Sequence, residues 1–156
     1  MTGRSTSIYF ACFVNTGCVL QDSLSCTEPV GGLAVLEGEL FLLHRSGLVL
    51  VYDSVNYGEP RDFRMPPTAN GSYIDLASCQ HRRWLLICRF PVRVYIADPQ
   101  GQKIGWLETM VNINGISVTP GITLLVRCWF GKLVEFTLDG KMLQEVKLYS
   151  DPMQAV

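Results

Sequence analysis

Short runs rich in leucine, β-branched and aromatic residues recur along this chain, divided by Gly, Pro, Asn and Asp, and no long stretch carries an apolar period of 3.6 residues. The clearest copy starts at Tyr73. Tyr73–Cys79 reads as a first strand, Gln80-His81-Arg82-Arg83 as a polar turn, and Trp84–Arg89 as a second strand broken by Phe90-Pro91. Val92–Ala97 is a third strand, followed by the turn Asp98-Pro99-Gln100-Gly101, with Pro where φ is pre-set and Gly where it must be permissive. Lys103–Met110 is the fourth strand.

The same order of strands reads through Ile116–Thr119, Thr123–Trp129, Lys132–Leu138 and Met142–Leu148, with Asp139-Gly140 as a hairpin signal. It also reads through Leu33–Leu36, Leu40–Arg45, Leu48–Tyr52 and Asp62–Met65. The Asp that follows each third strand recurs at Asp53, Asp98 and Asp139, 45 and 41 residues apart. Leu42-Leu43, Leu85-Leu86-Ile87 and Leu124-Leu125 mark the second strands. Four short strands in about 40–45 residues is the period of a β-propeller blade. The expected fold is therefore all-β, built of four-stranded antiparallel blades. Residues 1–31 form a partial leading copy (Ile8–Val14, the turn Asn15-Thr16-Gly17, then Cys18–Asp22), 32–70, 71–112 and 113–148 form one blade each, and 149–156 are a tail. A closed propeller takes about four to eight blades. Three and a part leave apolar blade faces open unless the chain is a piece of a longer propeller, completes a ring by self-association, or curls into a small four-bladed body. The first of these is the expectation.

The phrases YIDLASC…RWLLICRFPVRVYIADPQGQKIGWLETM and NGISVTPGITLLVRCWFGKLVEFTLDGKMLQEVKL resemble blades of NHL-type propellers. The matching features are the opening strands Ile74-Asp75-Leu76-Ala77 and Gly115-Ile116-Ser117-Val118, the Leu-Leu second strands, and third strands that end in Asp-x-x-Gly or Asp-Gly. The resemblance runs over roughly Gly32–Leu148. It implies a platform that binds protein, and in some members RNA, through one face. The zinc modules that often precede such propellers have no counterpart here, because no Cys-x-x-Cys pair occurs, so ligase activity is not implied.

Hydrophobic residues make up 48% of the 156 and charged residues 17%, which excludes disorder as the main state. The apolar runs are short, and none approaches the ~18–20 uncharged residues that cross a bilayer, so no membrane partner is expected. The formal net charge of −1 supplies no global field toward nucleic acid. Nine of the 13 basic residues are Arg, which suits planar, bidentate recognition. The cysteines Cys12, Cys18, Cys26, Cys79, Cys88 and Cys128 read as free thiols on buried strands, since a chain of this size needs no staples. Ile8–Val14 is too short and poorly flanked for a signal peptide. A reducing, cytoplasmic setting is expected, and the sequon Asn70-Gly71-Ser72 then reads as a turn.

In a propeller the turns between second and third strands share one side with the links between blades. Those turns are Arg45-Ser46-Gly47, Arg89-Phe90-Pro91 and Trp129-Phe130-Gly131. The candidate binding residues are therefore His44, Arg45, Arg89, Phe90, Arg127, Trp129 and Phe130, because Arg and Trp are enriched where binding energy concentrates. Each also has a plainer reading as a solvated strand end or an inter-blade contact. The opposite side carries Glu37, Gln80-His81-Arg82-Arg83, Asp98, Asp139 and Lys141, mixed in sign.

No Gly-x-Ser-x-Gly, His-Glu-x-x-His or phosphate-binding loop is present, and the two histidines, His44 and His81, fall in different blades. The repeated Asp residues read as turn formers rather than acids or calcium ligands. Trp84, Trp106 and Trp129 read as blade packing, with Trp129 the most exposed. The expectation is a non-enzymatic protein-binding module without cofactor or metal. Single-stranded RNA on the same face is the alternative, and a propeller-type hydrolase or lactonase fragment ranks last.

Overall fold

A computed structural model describes residues 6–14, 17–26, 28–66 and 72–148, with side chains from Leu24 onward. Asn15-Thr16, the Asn70-Gly71 part of the sequon, the tail 149–156 and the side chains of Cys12 and Cys18 lie outside the described residues. Strands β1 (Thr6–Val14) and β2 (Gly17–Cys26) pair as an antiparallel hairpin. Three four-stranded sheets follow, each a meander in chain order. The first holds β3 (Val30–Leu36), β4 (Glu39–His44), β5 (Val49–Asp53) and β6 (Arg61–Phe63). The second holds β7 (Tyr73–Cys79), β8 (Trp84–Arg89), β9 (Arg93–Ala97) and β10 (Lys103–Glu108). The third holds β11 (Ile113–Val118), β12 (Thr123–Cys128), β13 (Lys132–Thr137) and β14 (Met142–Lys147). The first strands β3, β7 and β11 are neighbours, so the blades stand side by side with these strands innermost.

The sheets stack because β8 is apolar on both faces and β4 and β12 are apolar on the faces turned toward it. In β8, Leu85 and Ile87 turn toward the first blade and join Phe41, Leu43, Val49 and Val51. Leu86 and Cys88 turn the other way and join Leu124, Val126 and Val134 of the third blade. A strand buried from both sides reads as an unbroken apolar run, which is why the Leu-Leu phrases were legible. Leu40 and Leu42 of β4, on the side away from the second blade, pack with Cys26 and Leu24 of the hairpin.

Two of the recurrent Asp residues act as turn formers. Asp53 Oδ1 accepts from the backbone N–H of Val55 and Asn56 at 2.8 and 3.3 Å, and Asp98 Oδ1 from those of Gln100 and Gln102 at 2.9 and 2.8 Å. Cys26, Cys79, Cys88 and Cys128 are free and buried, and burial pushes the Cys88 thiol far up.

The inner strands begin earlier than the sequence suggests: β3 at Val30 rather than Leu33, and β11 at Ile113 rather than Ile116. The cause is a bulge repeated in all three blades. The pairing skips one residue between Val30 and Gly32, between Tyr73 and Asp75, and between Ile113 and Gly115. Gly31, Gly32 and Gly115 are thus part of the inner strands, at the point where each lies against its neighbour.

Candidate functional site

The second-to-third-strand turns do lie against the links between blades, and backbone hydrogen bonds hold them there. Phe90 N–H donates to Ser72 O at 2.9 Å, Arg45 N–H to Pro29 O at 2.9 Å, and Ile113 N–H to Pro91 O at 2.8 Å. At this rim the inner strands open into a cavity of about 390 Å³. Two repeat positions build most of its wall. The bulge residues Gly31, Ile74 and Asn114 supply one copy each, and the residues one step past each second strand, Arg45, Phe90 and Trp129, supply the other. Ser72, Tyr73, Ile113 and Arg127 complete it.

Ile113 and Tyr73 are buried, and the Tyr73 hydroxyl donates to Pro66 O at 3.1 Å, so the floor is apolar and fixed. Phe90 and Trp129 are 40% and 54% exposed. The two guanidiniums, of Arg45 and Arg127, differ from three others in the chain. Arg61 pairs with Glu39 at 2.8 Å, Arg93 with Glu108 at 2.9 Å, and Arg83 with Glu37. Among the described residues Arg45 and Arg127 have no such carboxylate partner, and the cavity wall contains no acid.

Arg127 is placed by a glycine and flanked by a buried acid. Its Nη2 donates to Asn114 O at 3.1 Å across Gly115, where a Cβ would lie 3.0 Å from Nη2 and 3.2 Å from Nε. Asp75, at the matching position in β7, accepts from Leu76 N–H at 2.9 Å and from Ile116 N–H at 3.0 Å. Burial raises its carboxyl above the ordinary value of 3.8, while these hydrogen bonds and the Arg127 charge pull the other way. With both oxygens engaged, Asp75 is a tie between the second and third blades.

Of the seven residues read from the sequence, four line the cavity: Arg45, Phe90, Arg127 and Trp129. His44, Arg89 and Phe130 do not. His44 is 3% exposed, which corrects its reading as a surface residue; it sits at the end of β4 on the face that turns away from the second blade. Arg89 lies 5.8 Å from the Trp106 ring centroid, a cation–π distance. Phe130 is fully exposed on a left-handed backbone (φ 65°, ψ 32°) at the tip of the β12–β13 turn. The three arginines therefore occupy three different repeat positions, because the register places Arg45 beyond the strand, Arg89 at its last residue and Arg127 one residue earlier. The bulge residues were missed. Their signal was the Gly31-Gly32 and Asn114-Gly115 pairs at one offset in two blades.

At the opposite rim a cavity of about 240 Å³ is lined by Arg82, Arg83, Trp84, Asp98, Pro99, Gln100 and Ile104. Arg82 stacks 4.8 Å from the Trp84 ring centroid, so this side is internally paired. Among the described residues no three His, Cys, Asp or Glu side chains are grouped to hold a metal.

No protein-family model matches this chain. No curated protein matches it in sequence either. Solved structures do match in shape. The chain is similar to the WD40 β-propeller domain of Doa1, with a TM-score of 0.62 and 10% identity over 79% of this chain and 42% of that one. It is similar to the WD40 domain of Neurospora crassa Pan2, with a TM-score of 0.58 and 17% identity over 80% and 40%. It is also similar to BamB from Moraxella catarrhalis, with a TM-score of 0.56 and 12% identity over 91% and 50%. The chain spans half or less of the length of these structures. Identities this low establish the fold alone: the chain has the β-propeller fold, as an arc of three four-stranded blades preceded by a hairpin.

Proposed function

We propose that this arc is a non-enzymatic protein-interaction module that takes its partner at the rim lined by Arg45, Phe90, Arg127 and Trp129. One observation carries the reading: two guanidiniums without a carboxylate partner among the described residues share one cavity with two half-exposed aromatic rings. That pairing of residue types is enriched where binding energy concentrates. Phe130 adds support, since a fully exposed ring on a left-handed backbone costs the folded chain stability without packing in return. The non-enzymatic reading is supported by Asp53, Asp75 and Asp98, whose carboxylates are engaged with backbone N–H groups. An NHL-like blade type remains our reading of the repeat phrases, and free cysteines fit a reducing cytoplasm.

The test compares proteins captured by the wild-type chain with those captured by Arg45→Ala, Arg127→Ala and Trp129→Ala, each verified as folded by circular dichroism. Arg82→Ala, at the opposite rim, is the control. Partners lost with the three rim variants and kept with the control support the reading. An unchanged set sinks it. A second reading, single-stranded RNA, draws on the exposed Trp129 and Phe130 rings beside Arg45 and Arg127, since bases stack on such rings while arginines hold phosphates. Its mark is a shift of random oligonucleotides at low salt that fades steeply as salt rises.

A further inference from the structure

We infer that the ligand group entering this rim cavity is a carboxylate, carried on a peptide side chain next to a large apolar or aromatic one. The inference rests on the rim being the binding surface, and it adds the chemistry of what is bound. Each part of the wall contributes. Arg45 comes from the first blade and Arg127 from the third, so the two charges approach one volume from opposite sides. A guanidinium presents donors in a flat fork that fits two carboxylate oxygens.

No carboxylate stands in the wall, where Asn114 O takes one hydrogen of Arg127 Nη2 at 3.1 Å. The carboxylate nearest to Arg127, that of Asp75, is committed to Leu76 N–H and Ile116 N–H, and its burial disfavours the ionised form. Arg61, Arg83 and Arg93, by contrast, each pair with an acid. The remaining wall sets the apolar surface of Ile113, Ile74, Tyr73, Phe90 and Trp129 beside the polar Ser72 and Asn114. A volume of about 390 Å³ suits one or two side chains.

A peptide acid fits this better than a nucleic acid strand does. Holding a strand takes a basic track along several phosphates. Here the cavity offers two cations, in a chain of net charge −1.

The experiment selects random twelve-residue peptides on the wild-type chain and measures winners by fluorescence anisotropy against wild type, Arg45→Met/Arg127→Met and Trp129→Ala. Met keeps an unbranched apolar stem and removes the charge, and a thermal melt confirms that each variant folds. The expected winners place Asp or Glu beside an aromatic or large aliphatic residue. Changing that acid to its amide weakens binding at least about tenfold to wild type and has no effect on the double-Met variant. Winners that lose nothing on amidation but fail on Trp129→Ala overturn the carboxylate and leave the protein-binding reading standing. Winners indifferent to both the double-Met variant and Trp129→Ala overturn both. Arginine-dependent binding of random single-stranded RNA, with no peptide selected, also overturns the carboxylate.

Discussion

His44 shows most directly how a single position departs from its repeat. Its partners in the other blades are Arg89 and Cys128, and it is 3% exposed with neither ring nitrogen hydrogen-bonded. A buried polar group without a partner costs about 1–3 kcal/mol. His44→Leu is therefore expected to leave the unfolding free energy from urea titration unchanged or raise it by about 1 kcal/mol. A loss of that size would show that the ring is held after all. Phe130 is the opposite case, fully exposed and left-handed. Phe130→Gly relieves the steric cost of φ near +65° and adds chain entropy to the unfolded state, for an expected net gain of about 0.5–1 kcal/mol. If the rim serves a partner, the same variant captures less of it. That Arg45, Phe90 and Trp129 fall at one rim was legible because turn position follows from strand order, whereas Arg127 reaches the same cavity from within β12. The burial of His44 was not legible, because whether a strand end is covered depends on the neighbouring elements.

Among the elements, the inner strands are the most exactingly placed. Gly32, Asp75 and Gly115 occupy one repeat position, and the Asp75 carboxylate reaches both glycines. A Cβ at Gly32 would meet Asp75 Oδ1 at 2.7 Å and the Leu76 backbone nitrogen at 3.1 Å. Gly32→Ala must therefore push two blades apart, with an expected loss of about 2–3 kcal/mol. At Gly115 the nearest group is the end of the Arg127 side chain, which can move. Gly115→Ala is expected to cost less stability and to weaken ligand capture by displacing Arg127; thermal melts and a binding assay on both variants check the order. Asp75 also ties stability to pH. Its folded pKa lies above the ordinary 3.8, so between these two values the folded chain holds more protons than the unfolded one. Stability from this group is then present at low pH and falls as pH rises through that window. Asp75→Asn should remove that slope from urea midpoints taken across the acid range, while losing one backbone hydrogen bond. The close approach at Gly32 was not legible in the sequence because Gly is the common marker of both a turn and a close approach.

The two ends of the arc, at the scale of the whole molecule, are unlike. On the side toward a following blade, the first blade presents Phe41, Leu43, Val49 and Val51, and the second Leu86, Cys88, Val94 and Ile96. The third blade, in the same register, presents Leu125, Arg127, Leu133 and Glu135. Two apolar positions have become charged. Glu135 accepts from Thr123 Oγ1 at 2.5 Å and from Gln144 Nε2 at 2.6 Å, and these bonds hold its carboxyl below the ordinary carboxylate range. The first blade's outer side instead leaves Leu33 and Val35 half exposed beside the hairpin. A charged group on a blade face opposes its burial against a second apolar face. Glu135→Val restores the residue the first blade has at this place, and light scattering on a sizing column should then show a higher mass than wild type. An unchanged mass would mean that Glu135 does not guard this face.

The period of about 40–45 residues, the Leu-Leu strands and the recurrent Asp determined the blades, because each is local: alternation, turn chemistry and a strand buried on both faces leave marks within a few residues. Register within each blade did not follow from these marks, since the bulges at Gly31, Ile74 and Asn114 shift it by one residue. Tertiary structure alone decided what each blade does to the next. It decided that the bulge residues Gly31, Ile74 and Asn114 meet in one rim, that Asp75 spans from Gly32 to Gly115, and that Arg45 and Arg127 share a cavity although they lie 82 residues apart. Those relations are contacts between repeats, and contact between distant segments depends on how the sheets stack, which no short window of sequence contains.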